Sequence, residues 1–403
     1  MSETKQEDRW NVRPIVEVAL NNTFMDGDWI LTEDLSQSPN GVRLIQLGNI
    51  GKGDFIDDSR RWISEQTLER LGCTVVKAGD ILVSRMADPI ARACIVPDFP
   101  YPCITAVDCT IVRVDESRFD RRFVNYLFNS EVVRTQGLRF STGTTRKRIS
   151  RRNLERIMVA VPSLAEQQRI SSILDRVTAL RKMRQQAAEL ASKAIQSLFL
   201  KTFGDPKTNP MKWERVAFEE LATIDRRGVA AGEIVKGTKY VGLEHIEKGT
   251  GEIAGFVWAM PGELKSNKFA FTSTHVLYGK LRPYLNKVAL PEFAGVCSTD
   301  ILPMLPKKGK ATREYLAHLI KHPYFVTYAT EKSTGANLPR ISPREIERFE
   351  APAPPYELQE RFSAFVSSMR KLSVIQKESA QEINELFHSL MEKAFRGELR
   401  SAS

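Results

Sequence analysis

Six cations crowd one short stretch of this chain: Arg139, Arg146, Lys147, Arg148, Arg151 and Arg152. Among them run Ser141, Thr142, Gly143, Thr144 and Thr145, which add hydroxyls and a pliable backbone. Cationic side chains, hydroxyls and backbone N–H groups suit the holding of phosphate oxygens. A merely solubilising basic surface is the alternative, and recurrence argues against it. Ser-Thr-Gly at 141–143 returns at 333–335, and Arg-Ile-Ser at 148–150 returns at 340–342, both at a shift of 192. The second copy supplies Lys332, Thr334, Asn337 and Arg340.

A fainter repeat sets GVRLIQLGNI at 41–50 against GTKYVGLEHI at 237–246, and ILVSR at 81–85 against VLYGK at 276–280. Base edges are read by Arg, Lys, Asn or Gln. Base-edge candidates in the first copy are Arg43, Gln46, Asn49 and Lys52; Arg85 is a further DNA-binding candidate, and Arg139, Thr142, Thr144, Arg146 and Lys147 of the basic stretch are candidates for phosphate. Candidates in the second are Lys239, His245, Lys248, Lys280, Arg282, Tyr284, Asn286 and Lys287, with Thr334, Asn337 and Arg340. Gln46 and Asn49 stand opposite Gly242 and His245. A common frame with different tips is what two domains reading different sequences should show.

Two long segments must position these groups. Residues 164–203 and 356–395 are copies at the same shift of 192, and neither contains Pro or Gly from Gln167 or Gln359 onward. In the first, Ile170, Ile173, Val177, Leu180, Arg184 and Leu198 follow a heptad stripe; in the second it is Phe362, Phe365, Met369, Leu372, Gln376, Leu386 and Leu390. About 37 residues at roughly 1.5 Å each give a helix of about 55 Å, too long for an ordinary globular helix. The pattern predicts two such helices in an antiparallel coiled coil, with Arg184 and Gln376 forming a polar layer that sets register. The plan is domain, helix, domain, helix: 1–162, 163–203, a breaker-rich linker 204–212, 213–354, 355–397 and a tail 398–403. Each domain mixes short strands (44–47, 80–84, 93–96 and 109–114; 240–243, 274–278, 287–290 and 301–305) with one helix (119–137; 312–330). The fold class is α+β.

A charge of +10 and a pI near 9.3 favour an acidic partner, nucleic acid before membrane. No apolar run is long enough to span a bilayer, and the polar start does not read as a signal peptide. Five cysteines without a CxxC pair suit reduced thiols in the cytoplasm. There is no GxxxxGK[ST] loop, no GxGxxG after a strand, no HExxH and no convincing nuclease motif after Pro97-Asp98. Asn209-Pro210-Met211-Lys212 is not the NPP-aromatic motif of an amino-methyltransferase. The expectation is a non-catalytic chain without a metal site or bound cofactor.

The paired STG…RIS approaches, the AEQQRI and ELQERF helix starts, the FGDPKTNPMKW junction and the terminal LMEKAFRGEL together resemble the specificity subunit of type I restriction-modification enzymes. The resemblance spans nearly the whole chain. It implies two target-recognition domains related by a pseudo-twofold, held apart by two conserved helices, each domain reading one half of a split DNA target. It implies double-stranded DNA and two methyltransferase subunits as partners, with restriction subunits as a further partner. S-adenosylmethionine, ATP and Mg would then sit on those partners. A stand-alone two-domain regulator or architectural protein is the competing reading.

Overall fold

The computed structural model describes residues 10–399, apart from 37–40, 59, 260–263 and 265. Most of the expected tail therefore lies outside the described residues. The chain divides into two compact units, 1–184 with 379–403, and 185–378. Both long helices form, Leu164–Phe203 and Tyr356–Phe395, each 40 residues and each shared between the two units.

Among the described residues, the first unit holds an antiparallel pair (Asn11–Pro14 with Met158–Val161) and two four-stranded sheets. One runs in the order Ala19–Asp26, Cys109–Val114, Ile81–Ser84, Ala93–Ile95. The other runs Leu35–Ser36, Arg61–Ile63, Val42–Ile45, Cys103–Thr105. The second unit repeats the plan. Arg215–Ala217 pairs with Glu350–Pro352, and a four-stranded sheet runs Ala222–Ile224, Ile301–Pro306, Val276–Gly279, Val288–Ala289. Its other sheet gains a strand: Gly228–Val229, Lys268–Phe271, Gly295–Cys297, Lys239–Val241, Val257–Trp258. The β-branched and apolar runs read from the sequence lie on these strands, with ends displaced by a few residues.

Each of the two expected helices is broken in two. Residues 119–137 break into Arg121–Phe128 and Glu131–Arg139, and 312–330 into Arg313–Lys321 and Pro323–Glu331. The breaks have local causes. Ser130 caps the second helix by accepting from Val133 N–H, and Pro323 lacks the N–H that a continuous helix would use.

The long helices are tied to their domains by matched buried glutamines. Gln167 accepts from Asp120 N–H at 2.9 Å and donates to the Pro162 and Arg118 carbonyls. Gln359, 192 positions on, accepts from Thr312 N–H at 2.9 Å and donates to the Pro354 and Lys310 carbonyls. Ser171 and Ser363 add matching contacts to Asp120 and Thr312.

The helices also meet within each unit, start against end. In the first unit Ile170 and Leu174 share a core with Ala394 and Phe395, and Arg181 donates to Asn384 at 2.7 Å while covering the Phe387 ring. In the second unit Phe199 and Phe203 pack edge-on to Phe362, beside Val366. The antiparallel sense is as expected, but five of the thirteen expected seam positions are exposed. Ile170, Val177 and Phe362 are buried, and Ile173, Leu198, Met369, Gln376 and Leu390 half-buried. Leu180, Phe365, Leu372 and Leu386 are exposed, and so is Arg184. The inward positions are their neighbours Arg181, Val366 and Phe387. A stripe stepping 3 then 4 and one stepping 4 then 3 share every seventh residue. Each domain draws in the residue that faces its own core, and this selects the second stripe.

His318 lies between the helix ends of the second unit, stacked on Phe199 and edge-on to Phe362, with Nδ1 donating to the Glu314 carbonyl. Burial lowers its pKa to about 4. The unfolded chain binds a proton there near pH 6.5 and the folded one does not, so stability contributed by the neutral ring is full above 6.5 and falls toward pH 4. Urea titrations of wild type should show a loss approaching about 1.4 kcal/mol per pH unit across that window, and His318→Phe should flatten it. Gln359→Leu should cost about 2–4 kcal/mol by the same measurement, because it strands one buried N–H and two carbonyls. Exposed Gln168→Leu should stay within about 0.5 kcal/mol.

Candidate nucleic-acid interface

The basic stretch forms a tight hairpin. Thr142 and Arg148 exchange backbone hydrogen bonds at 2.9 Å each, which closes a loop of Gly143, Thr144, Thr145, Arg146 and Lys147. All five loop residues are exposed. Gly143 sits at φ +99, and an added Cβ there would strike the Arg146 carbonyl. The second copy closes the same loop: Thr334 and Arg340 exchange bonds at 2.9 and 3.0 Å, with Gly335 at φ +101.

Both hairpins are fastened to the same sheet position. Ile149 N–H donates to the Arg85 carbonyl, and Ile341 N–H to the Lys280 carbonyl. An ion pair braces each one, Arg148 with Asp108 at 2.7 Å and Arg340 with Asp300 at 3.1 Å. Asp108 and Asp300 were not singled out from the sequence. They also lie 192 apart, so extending the alignment through the strand would have found them.

Several candidates prove to be internal struts. Arg43 is fully buried and pairs with Asp57 at 2.5 Å. Arg85 is buried, donating to the Val107 carbonyl and facing Asp26 at 3.3 Å. Asn49 is buried; its Oδ1 accepts from Gln46 N–H at 3.0 Å and its Nδ2 donates to the Ile56 carbonyl. His245 holds the corresponding turn by accepting from Gly242 N–H at Nδ1, also at 3.0 Å. The Asn49/His245 difference is therefore two solutions to one capping problem, not two reading tips.

Lys287 Nζ donates to the Leu243 carbonyl at 2.6 Å, as Arg92 Nη2 does to the Leu47 carbonyl at 3.0 Å. Asn286 donates to the Lys321 carbonyl. These polar groups were attractive from sequence because burial leaves no mark on a cation that has a carbonyl to bond.

What remains exposed is Lys52, Arg139, Thr142, Thr144, Arg146 and Lys147 in the first copy, and Lys248, Arg282, Tyr284, Thr334 and Asn337 in the second. Gln46, Lys239, Lys280 and Arg340 are half-buried. Arg282 is held beside the second hairpin, its N–H donating to the Pro339 carbonyl at 2.7 Å. Arg282 and Asn286 both adopt positive φ, +52 and +49, an uncommon backbone for such residues. This turn and the hairpin place Arg282, Thr334 and Asn337 on one rigid framework. Among the described residues no His, Cys, Asp or Glu cluster could hold a metal, and no helix is long and apolar enough to cross a membrane. Burial raises the pKa of Cys94 and Cys297 to about 12 and of Cys103 and Cys109 to about 11, so none of these four is a ready thiolate.

Residues 8–190 match the family model for the type I restriction modification DNA specificity domain. Residues 8–190 thus resemble a type I DNA specificity domain. It is 27% identical over 194 residues to the specificity subunit of the type I restriction enzyme EcoDI of Escherichia coli, covering 47% of this chain and 43% of that one. It is 26% identical over 168 residues to the MjaVIII specificity subunit of Methanocaldococcus jannaschii, covering 40% and 39%. These matches thus span less than half of either relative. In shape the likeness is longer. The type I restriction-modification S subunit of M. genitalium aligns over 100% of this chain and 99% of its own, with TM-score 0.60 at 14% identity. A chain from a type I R-M system assembly aligns over 98% and 100%, with TM-score 0.56 at 16% identity. The specificity-subunit fold thus extends beyond the matched domain.

If Lys287 and Arg92 are struts of this fold, Lys287→Met and Arg92→Met should each lower stability of the DNA-free protein by about 1–3 kcal/mol. Thermal unfolding without DNA measures this; unchanged melting would return both cations to the surface.

Proposed function

We propose that this chain is the DNA-reading subunit of a type I restriction-modification complex, each recognition domain contacting one half of a bipartite target. The observation that carries the reading is the duplicated, braced hairpin: two loops with one backbone design and different exposed side chains, Arg146 and Lys147 in one, Asn337 in the other. The match of residues 8–190 to a type I restriction modification DNA specificity domain supports the DNA-recognition role. The first loop suits phosphate contacts, which position a protein; the second has an amide that suits a base edge.

The long helices serve as the spacer ruler and as the docking surface for two methyltransferase subunits. Leu180, Leu372 and Leu386, exposed along them, support docking, since helices of this length leave few apolar residues in water without a partner. Adenine methylation with S-adenosylmethionine, and ATP- and Mg-dependent cleavage, belong to those partners and to restriction subunits; this chain contributes no catalytic group. Two weak half-site contacts on one chain gain from effective concentration.

The test is to assemble the chain with a type I modification subunit and sequence the methylated sites. Removing one matched heptad from both helices should change the spacer by a base pair or more and leave both half-sites intact. Exchanging residues 10–161 for those of another family member should change one half-site alone. An unchanged spacer sinks the ruler, and methylation without a bipartite motif sinks the reading.

A further inference from the structure

Each domain encloses one cation in a cage of aromatic rings, at the same place in the fold. In the first, the Arg43 guanidinium lies over the rings of Phe99 (4.8 Å) and Phe55 (5.3 Å). In the second, the Lys239 ammonium lies over Phe293 (4.5 Å), Phe256 (4.8 Å) and Trp258 (5.5 Å). The correspondence is topological. Arg43 pairs across strands with Trp62, and Lys239 pairs across strands with Trp258. Both central strands lie parallel to a third strand, Cys103–Thr105 or Gly295–Cys297.

The two cages differ in how the charge is met. Arg43 is 0% exposed, its Trp62 is 8% exposed, and Asp57 neutralises it at 2.5 Å. Lys239 is half-buried, Trp258 is 55% exposed, and among the described residues no carboxylate or carbonyl accepts from the ammonium. Where the first domain places Asp57, just past the Asn49-to-Ile56 turn, the second places Gly255, just past the matching His245-to-Ala254 turn. Three rings attract a cation but give it no directional acceptor. Among the described residues, nothing in the cage takes up the ammonium's donors.

We propose that Lys239 and Trp258 form a base-contacting site of the second domain. Lys239 donates to acceptors on a base edge, such as guanine O6 and N7, and Trp258 provides the apolar face against the neighbouring base or sugar. The corresponding site of the first domain is closed: Asp57 and Trp62 turn the same cage into core. This rests on the DNA-reading role proposed above. A ring cage suits base reading because it aims the ammonium without consuming its donors. An ordinary ion pair would consume them.

The experiment is a binding selection on randomised duplexes with the full chain, in wild type and as Lys239→Met, Lys239→Arg and Trp258→Leu. The domain exchange above identifies which half-site belongs to the second domain. Lys239→Met should relax one or two positions of that half, with about tenfold loss on the wild-type sequence and none in the other half. Trp258→Leu, a surface change, should weaken the same positions, and Lys239→Arg should retain or alter the base preference rather than abolish it. If Lys239→Met selects the wild-type motif within twofold, the proposal falls. It also falls if the loss is equal on all sequences with a salt slope smaller by about one, since Lys239 would then hold a phosphate. If wild type selects no motif, the DNA-reading role itself fails, a result distinct from either.

Discussion

A single buried amide on each long helix carries much of the architecture. Gln167 and Gln359 each bridge one backbone N–H and two carbonyls of the adjoining domain, in buried surroundings where an unmet polar group is costly. Apolar packing can slide by a methylene at small cost, whereas three directional bonds cannot. The helix start is thereby fixed in rotation and in height against its domain. That rotation decides which stripe of the helix faces inward, and so which apolar residues are left on the outside.

The hairpins follow the same logic at the opposite chemical extreme. Their tips are polar and exposed, and their stems are held by backbone bonds and one Asp–Arg pair each. A partly exposed ion pair contributes little to global stability. Its value here is orientation: it holds the stem arginine to the sheet while the loop ahead of it stays in solvent. A recognition loop held this way loses little entropy when it meets a ligand. The duplication preserved the stem and released the tip, so Arg146 and Lys147 could diverge from Leu338 and Pro339.

The aromatic cages show how duplicated parts drift apart in use. A buried guanidinium requires a counter-charge, and Asp57 supplies it. A half-exposed ammonium does not require one, and Gly255 stands where the acid would be. Differences at the cation and on the turn separate a core arginine from a half-buried lysine on the same frame.

By itself the sequence determined the periodic and repeated features. The 192-residue shift, the two long helices, the α+β domains and the repeated STG…RIS loops all follow from local pattern, because helix and strand periods are written in consecutive residues. It also carried the resemblance to type I specificity subunits. Only tertiary structure decided which polar residues are free. Arg43, Arg85 and Lys287 have the residue types of DNA contacts, yet they are consumed by Asp57 and by the Val107 and Leu243 carbonyls brought from elsewhere in the domain. Tertiary structure likewise chose between two heptad stripes sharing every seventh residue, turning Val366 and Phe387 inward and Phe365 and Leu386 outward. The reason is common to both. Partners distant in sequence settle burial, and no window of neighbouring residues contains them.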